Sequence, residues 1–575
     1  MGVSVAAHVG ASTARPAVRW ASATLLVSVV VLVVGVLVRT HGTFVYVLDD
    51  PAIHLTIARR LAFDGTWGVV AGDFQSASSS PLWVIVLAPT QWLVRGDAGE
   101  LVPLVLNVAA GLVVIRLLGP DLGARLQPSR EQPWDAVAVS AVVVGPLFLP
   151  GLAFVGMEHT LHMALVLALV LAVERRWGTE EPDGGRRWVP FALAALAGLT
   201  RAESVFVVAG LGVALMVVRP SPHGLRLRLA VGAGLVAAVA AALGAVAALN
   251  LAFGQELLPD SVMAKSFGDR GDTRRSVAAA AGRLASDPWL LAVVVVALLV
   301  VVAAWRGGGG RALFPAVVAV VTVLLHAELA AVDASLRYEA YIAGLGTLVV
   351  LRALADLPAT SPRRRLRLAP AVLVVPVVVL AGLQLRNTAR VPFESGVLWE
   401  QRYQVARFLD RDYRHDPIAI GELGYIGIYH DGPLTDVYGL ADHQVLEAAL
   451  DGRRDDALWR RLQRERGFRV VATYDFSLGG EVPDGWIPVA SWRSPDAVFE
   501  VTVFWATVPD EVGPLQQRLR AYEPELPDSV EVTYNDLAQL AAASRRQEAL
   551  RPPRNNAPGD QGHTPISSEE CRGRG

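Results

Sequence analysis

Two adjacent acids, Asp49 and Asp50, stand just beyond the first long apolar stretch of this chain. That stretch, residues 20–38, carries no charge and is long enough to cross a bilayer. Arg15 and Arg19 precede it and favour a cytoplasmic N-terminus, so the two carboxylates emerge on the outer face, close to the lipid surface. Acids placed there can meet a molecule whose head is polar and whose tail lies in lipid. One of them, ahead of Pro51, suits the N-cap of a helix through residues 53–61. The other is then left to act as a general base towards a hydroxyl, or to hold a metal.

Other residues with chemical potential lie near the ends of apolar runs. Lys265 is the only lysine; the other 51 of the 52 basic residues are arginine. It falls in LLPDSVMAKS (257–266), where a compact ammonium suits a phosphate as a point charge. Glu158 and His159 sit in GMEHTLHMAL (156–165), Arg201 and Glu203 in LTRAES (199–204), and Arg337 and Tyr338 in LRYEAY (336–341). Each has a plain structural reading: an interfacial acid, an Arg–Glu pair closing a turn, an arginine snorkelling from its helix. Charged groups at membrane depth are equally candidates for function. His326 and Glu328, in an otherwise apolar run, suit a structural hydrogen bond. Loop charge assigns Asp49, Asp50, Glu158, Arg201, Lys265 and Arg337 to one face, where acids and cations together suit a phosphate-linked donor and an acceptor to be activated.

These residues need a scaffold, and the composition indicates which. Of the 575 residues 53% are hydrophobic, and mean hydropathy is +0.40. This describes an α-helical multi-pass membrane protein with a soluble remainder. A net charge of −2 argues against a nucleic-acid partner. The single cysteine, Cys571, excludes a disulfide framework or a cysteine metal site. The first apolar run exceeds a signal-peptide core and lacks a small-residue cleavage site, so it reads as a retained helix. Further apolar segments fall near 81–94, 101–118, 134–150, 153–173, 188–199, 203–218, 229–252, 289–305, 311–330, 339–355 and 368–385. Arginines at 175–176 and 186–187, at 219–228, at 306–311 and at 363–367 mark the inner loops. An outer C-terminus then requires an odd number of crossings, about eleven, with one short segment between 81 and 118 at the interface. The expected domains are a cytoplasmic N-terminus (1–19), a membrane domain (20–385) whose first outer loop is 39–80, an extracytoplasmic α/β domain (386–550) and a disordered tail (551–575). The α/β reading rests on short apolar runs at 417–420, 468–473 and 497–505. Trp486, Trp492 and Trp505 there suit either a core or a sugar-stacking surface.

The ordered set of motifs resembles a known superfamily. DDPAIHLTIARRLA (49–62), followed by SSSPLW (78–83), is similar to the first outer loop of bacterial GT-C fold glycosyltransferases, which take sugars from polyprenyl-phosphate donors. Among these it resembles the actinobacterial terminal β-1,2-arabinofuranosyltransferases. His54 and Thr56 stand where aromatic or small polar residues are more usual, and Ala202 replaces a usual proline in LTRAES. GMEH, LLPDSVMAKS, LRYEAY and GELGYIGIYHDGPLTDVYGLAD (421–442) agree in order, so the resemblance covers roughly residues 40–445.

The resemblance implies a catalytic aspartate, Asp49 or Asp50, and Glu158 as a second acid of the site. It implies Lys265 and Arg337 at the lipid phosphate, with Tyr338, Arg201 and His54 as further donor contacts and His159 and Glu203 as other candidates. No cofactor is specified. A divalent cation is left open, with Asp49, Asp50 and Glu158 as its ligands if one binds. The implied partners are a polyprenyl-phosphate sugar donor, a cell-envelope glycan acceptor and the bilayer of the plasma membrane. Two other classes fit many helices and charges: a transporter or lipid flippase, which should carry inverted repeats and a midplane site, and a non-catalytic envelope scaffold.

Overall fold

The computed structural model describes residues 2–534, except 71, 95, 127–142, 179–185, 219–222, 267–276, 306–309, 331–336, 357–367, 475–477, 479–481, 484 and 498–500. Cys571, the tail and much of the 134–150 segment therefore lie outside the described residues. The helical part runs α1 (Gly2–Arg39), α2 (Asp50–Asp64), α3 (Pro81–Leu93), α4 (Val102–Leu126), α5 (Leu149–Val155), α6 (His159–Val173), α7 (Val189–Thr200), α8 (Ser204–Val217), α9 (Leu225–Ala252), α10 (Asp260–Ser266), α11 (Val277–Ser286), α12 (Pro288–Trp305), α13 (Leu313–Leu329), α14 (Ala340–Asp356) and α15 (Leu368–Leu398).

Long valine, leucine and alanine runs become helices because a backbone in lipid must satisfy its own polar groups. Among the described residues three helical stretches, Arg15–Arg39, Ala98–Leu122 and Leu225–Ala252, are long and apolar enough to cross a membrane, alongside shorter apolar helices. On α1 one stripe (Ala21, Leu25, Val36) is buried, whereas Val27, Val30, Val31, Val34 and Val38 are 55–75% exposed, a face that suits lipid rather than water. Helix α3 has 13 residues, about 20 Å at about 1.5 Å per residue, short of a hydrocarbon core of about 30 Å.

One boundary differs from the sequence reading. Position 150 lies inside a short helix rather than between two helices. Turn residues 143–148 lead into the short α5, and the break comes at Gly156, whose φ of 71° ends α5 in the left-handed region. An added Cβ at Gly156 would lie 2.7 Å from Tyr46 and 2.8 Å from Pro51, so glycine there lets the GMEH turn press against the loop carrying Asp49.

The C-terminal part comprises α16 (Gln404–Tyr413), β1 (Ile418–Ile420), α17 (Gly424–Tyr429), β2 (Leu434–Asp436), α18 (His443–Leu450), α19 (Asp456–Arg466), β3 (Val470–Tyr474), β4 (Ile487–Arg493), β5 (Val501–Ala506), α20 (Pro509–Tyr522) and β6 (Glu531–Tyr534). Its six strands form one sheet in the order β2-β1-β3-β5-β4-β6. The first three are parallel and the rest antiparallel. The three apolar runs seen in the sequence correspond to β1, β3 and β5. The tryptophans are core: Trp486, Trp492 and Trp505 are each under 10% exposed, and Trp492 lies against Phe504 and Tyr522. The sugar-stacking alternative for these three is corrected accordingly.

The sheet does not keep its core to itself. One apolar cluster joins Ile57, Trp83 and Leu87 of α2 and α3 to Phe408, Tyr425, Phe504 and Leu515 of the C-terminal part. Helices α2 and α3 and the sheet domain thus bury a common surface, which positions the first against the second.

Candidate active site

The aspartate pair starts α2, with Pro51 in its first turn and Gly65 in the left-handed region at its end. Asp49 occupies the N-cap position, yet its side chain makes no cap bond to α2. This corrects the simple capping reading. Its carboxylate reaches across to the sheet domain, where Oδ2 accepts the Gly424 N–H at 2.7 Å and Oδ1 accepts the Tyr425 N–H at 3.0 Å. Asp49 therefore caps α17, a helix 375 positions away. Burial pushes its carboxyl above the ordinary range, and the Arg402 guanidinium and the two N–H groups pull the other way. Tyr425 completes the joint: its hydroxyl accepts the Tyr46 N–H at 3.1 Å.

With Asp49 committed to this joint, Asp50 is turned elsewhere. Its Oδ2 lies 3.3 Å from an Arg337 guanidinium nitrogen, and its side chain is 31% exposed. Arg337 also donates to the Tyr338 hydroxyl at 3.1 Å and lies over that ring at 4.6 Å. Arg201 approaches the same Tyr338 ring at 5.1 Å and pairs with Glu158 at 2.7 Å and Glu203 at 2.5 Å. His159 meets Tyr338 edge-on at 6.0 Å. Four sequence segments thus converge as Asp50, Arg337, Tyr338, Arg201, Glu158, Glu203 and His159. Arg201 and Glu203 do pair, as the turn suggested, but Glu158 shares the guanidinium. Glu158 Oε2 and Arg201 Nε are buried without a hydrogen-bond partner among the described residues, so polar capacity in the cluster is unspent.

The remaining candidates are placed differently. His54 is buried between α2 and the SSSPLW loop, its Nδ1 3.2 Å from Ser78 Oγ, and it ties the two together. Lys265 lies on α10, and its side chain is outside the described part. His326 makes the expected structural bond, to Tyr341 Oη at 3.0 Å. Asp49, Asp50 and Glu158 are not gathered as a ligand set: the first is taken by backbone N–H groups, the other two by guanidinium groups.

Sequence reading missed the aromatic joint. Tyr46 donates to the Glu100 carbonyl at 2.6 Å, and Tyr429 donates to the Glu100 carboxylate at 2.8 Å. Arg402, facing Asp49, was missed as well. The signals were Tyr46 three residues before Asp49, and Tyr425 and Tyr429 one helical turn apart in GYIGIY.

ArnT from Cupriavidus metallidurans in the apo state superposes with a TM-score of 0.50 at 15% identity, covering 86% of this chain and 99% of that one. The same protein bound to undecaprenyl phosphate gives 0.51 at 16% identity over 86% and 100%. The fold is GT-C. An oligosaccharyltransferase of Archaeoglobus fulgidus aligns at a TM-score of 0.41 and 10% identity over 85% and 74%, too loosely to support a comparison. Residues 394–507 match a domain family described as a domain of unknown function, DUF8728, which begins within α15 and ends just after β5. No curated protein matches the chain in sequence. The GT-C architecture agrees with the helical membrane part followed by a sheet domain.

Proposed function

We propose that this chain is a membrane glycosyltransferase that takes a sugar, arabinofuranose, from a polyprenyl-phosphate donor and transfers it to a cell-envelope glycan at the outer face of the plasma membrane. The observation that carries the reading is the Asp50–Arg337 contact, with Asp49 fully engaged beside it. Asp50 is the general base that removes the acceptor hydroxyl proton. Arg337, with Lys265 arriving on α10, stabilises the departing lipid phosphate as its charge grows. Tyr338 and Arg201 line the donor head, and Glu158 orients Arg201. The GT-C fold shared with ArnT, one of whose structures holds undecaprenyl phosphate, supports a lipid-phosphate donor. The arabinofuranose assignment rests on the ordered motifs, and the outer placement of the C-terminal domain rests on loop charge. A flippase is disfavoured by charges clustered at helix ends.

The test is transfer of radiolabelled sugar from decaprenyl-phosphoryl arabinose to an arabinan-like acceptor by the purified chain, beside Asp50→Asn. Transfer by wild type and its loss in the variant are the expected result. A folded wild type that transfers only a hexose from a donor panel overturns the sugar assignment, and one that transfers nothing from any lipid-phosphate donor overturns the enzyme reading.

A further inference from the structure

A second cluster lies where the segment after α9 meets the sheet domain. Glu256 precedes α10, and His443 and Glu447 are one turn apart on α18. Their donor atoms all lie within 4.8 Å of one another. His443 Nε2 stands 3.7 Å from Glu447 Oε1. On the other side of the ring, His443 Nδ1 lies 3.2 Å from Oδ1 of Asp260, a buried carboxylate.

That arrangement fixes the imidazole. Asp260 accepts a hydrogen bond from Nδ1–H, which leaves the Nε2 lone pair directed away from Asp260, on the side of Glu447. A carboxylate behind a histidine, orienting it for an ion in front, is the usual support of a metal-bound imidazole. The charges point the same way. Three carboxylates surround one imidazole, and Arg453, which lies near Glu447, is paired with Asp451. A divalent cation cancels the excess. An isolated surface His–Glu pair would need neither the third carboxylate nor the buried Asp260. Donor atoms around zinc at about 2.0–2.2 Å are roughly 3–4.4 Å apart, so small rotations of the exposed Glu256 and Glu447 side chains close the set.

We propose that Glu256, His443 and Glu447 bind a divalent transition cation, zinc in the first instance, with Asp260 orienting His443. One imidazole and two carboxylates, with water filling the remaining position, match zinc's ligand preferences. The ion spans two parts of the molecule: Glu256 comes from the chain entering α10, and the other two ligands from the sheet domain. It therefore staples the 256–266 stretch, including the helix that carries Lys265, onto α18. None of its ligands takes part in the reaction proposed above.

The test uses the full chain in detergent, stripped with EDTA, reloaded with zinc chloride and desalted, with zinc measured by plasma mass spectrometry. About one zinc per chain is expected. Glu447→Gln and His443→Ala should each lower affinity at least tenfold, and Asp260→Asn about 10–100-fold. Glu447→His, which exchanges one ligand type for another, should retain the ion. Zinc should also slow amide hydrogen exchange across residues 256–266 in wild type and not in Glu447→Gln. Size exclusion checks folding; if His443→Ala fails to fold, the exposed Glu447 position decides. Wild type holding under a tenth of a zinc per chain overturns the proposal, as does a Glu447→Gln protein that binds zinc like wild type.

Discussion

Asp49 and Asp50 are neighbours in the chain with different partners. Asp49→Ala removes the acceptor of two buried N–H groups, at a cost of about 2–4 kcal/mol, and should lower the thermal midpoint with a matching loss of folded protein. Asp50→Asn keeps shape and leaves Asp49's bonds untouched, so the midpoint should hardly move, while transfer falls by about 10²–10⁴ if it removes a general base. Measuring unfolding and transfer on the same two preparations separates anchor from base; equal stability loss in both would sink the division. Arg201→Ala is a third case. It strands the buried Glu158 carboxylate, and breaking a buried pair from one side costs about 3–5 kcal/mol. Glu158→Gln with wild-type Arg201 should be milder, because the guanidinium keeps Glu203. At this scale the sequence made the residue types legible, since lone charges in apolar surroundings announce themselves. Which aspartate takes which partner was not legible, because the deciding partner, the Gly424 N–H, is remote in sequence.

Elements were legible where hydrophobicity alone decides them. Among the described residues the apolar runs became helices within a few residues because lipid leaves the backbone no other choice. The α5–α6 break was not legible, since it depends on the conformation of Gly156 rather than on polarity. The strands behaved likewise: β1 and β3 are short apolar runs, whereas β6 carries exposed and half-buried residues and gives no such signal. Helix α17 shows how tightly one element is specified. A Cβ at Gly424 would lie 2.3 Å from Asp49 Cγ and from its carbonyl oxygen. Gly424→Ala must push the aspartate loop away, at about 1–3 kcal/mol, and should speed proteolysis of residues 65–80 relative to wild type. The segment after α17 carries two buried titratable groups that oppose each other. Burial lowers His430 from 6.5 to about 4, so its unfolded form protonates first and stability falls as pH drops through that range. Burial raises Asp436 from 3.8 to about 6, against the N–H groups of Tyr438 and Ala441, so the native form holds its proton longer and stability rises as pH drops from about 6 towards 4. Each is worth about 3 kcal/mol, and they nearly cancel. Asp436→Asn should unmask the histidine: tryptophan-fluorescence unfolding at pH 6.5 and pH 4 should show a loss of about 3 kcal/mol that wild type lacks.

For the whole molecule, the decisive arrangement is a core shared between chain segments more than 300 positions apart. Ile57, Trp83 and Leu87 pack in one cluster with Phe408, Tyr425 and Phe504, and Asp49 bonds to α17 across the same joint. A two-part reading, membrane helices plus a soluble tail, was legible from composition, but composition cannot report that the tail shares its core with α2 and α3. Such a shared core makes the two parts one cooperative unit, because exposing either face leaves large apolar side chains in water at about 25 cal/mol per Å². It also keeps Asp50 within reach of Arg337, since α2 begins at the joint and cannot shift without opening it. Residues 394–534 produced alone should therefore be poorly packed, binding a hydrophobic dye and showing a broad unfolding transition. In the full chain, hydrogen exchange across 45–65 and 405–430 should open with the same free energy and respond together to Asp49→Ala. If the isolated segment folds sharply, or if the two regions exchange independently, the C-terminal domain is an autonomous module, and the positioning of Asp50 must then come from the membrane helices alone.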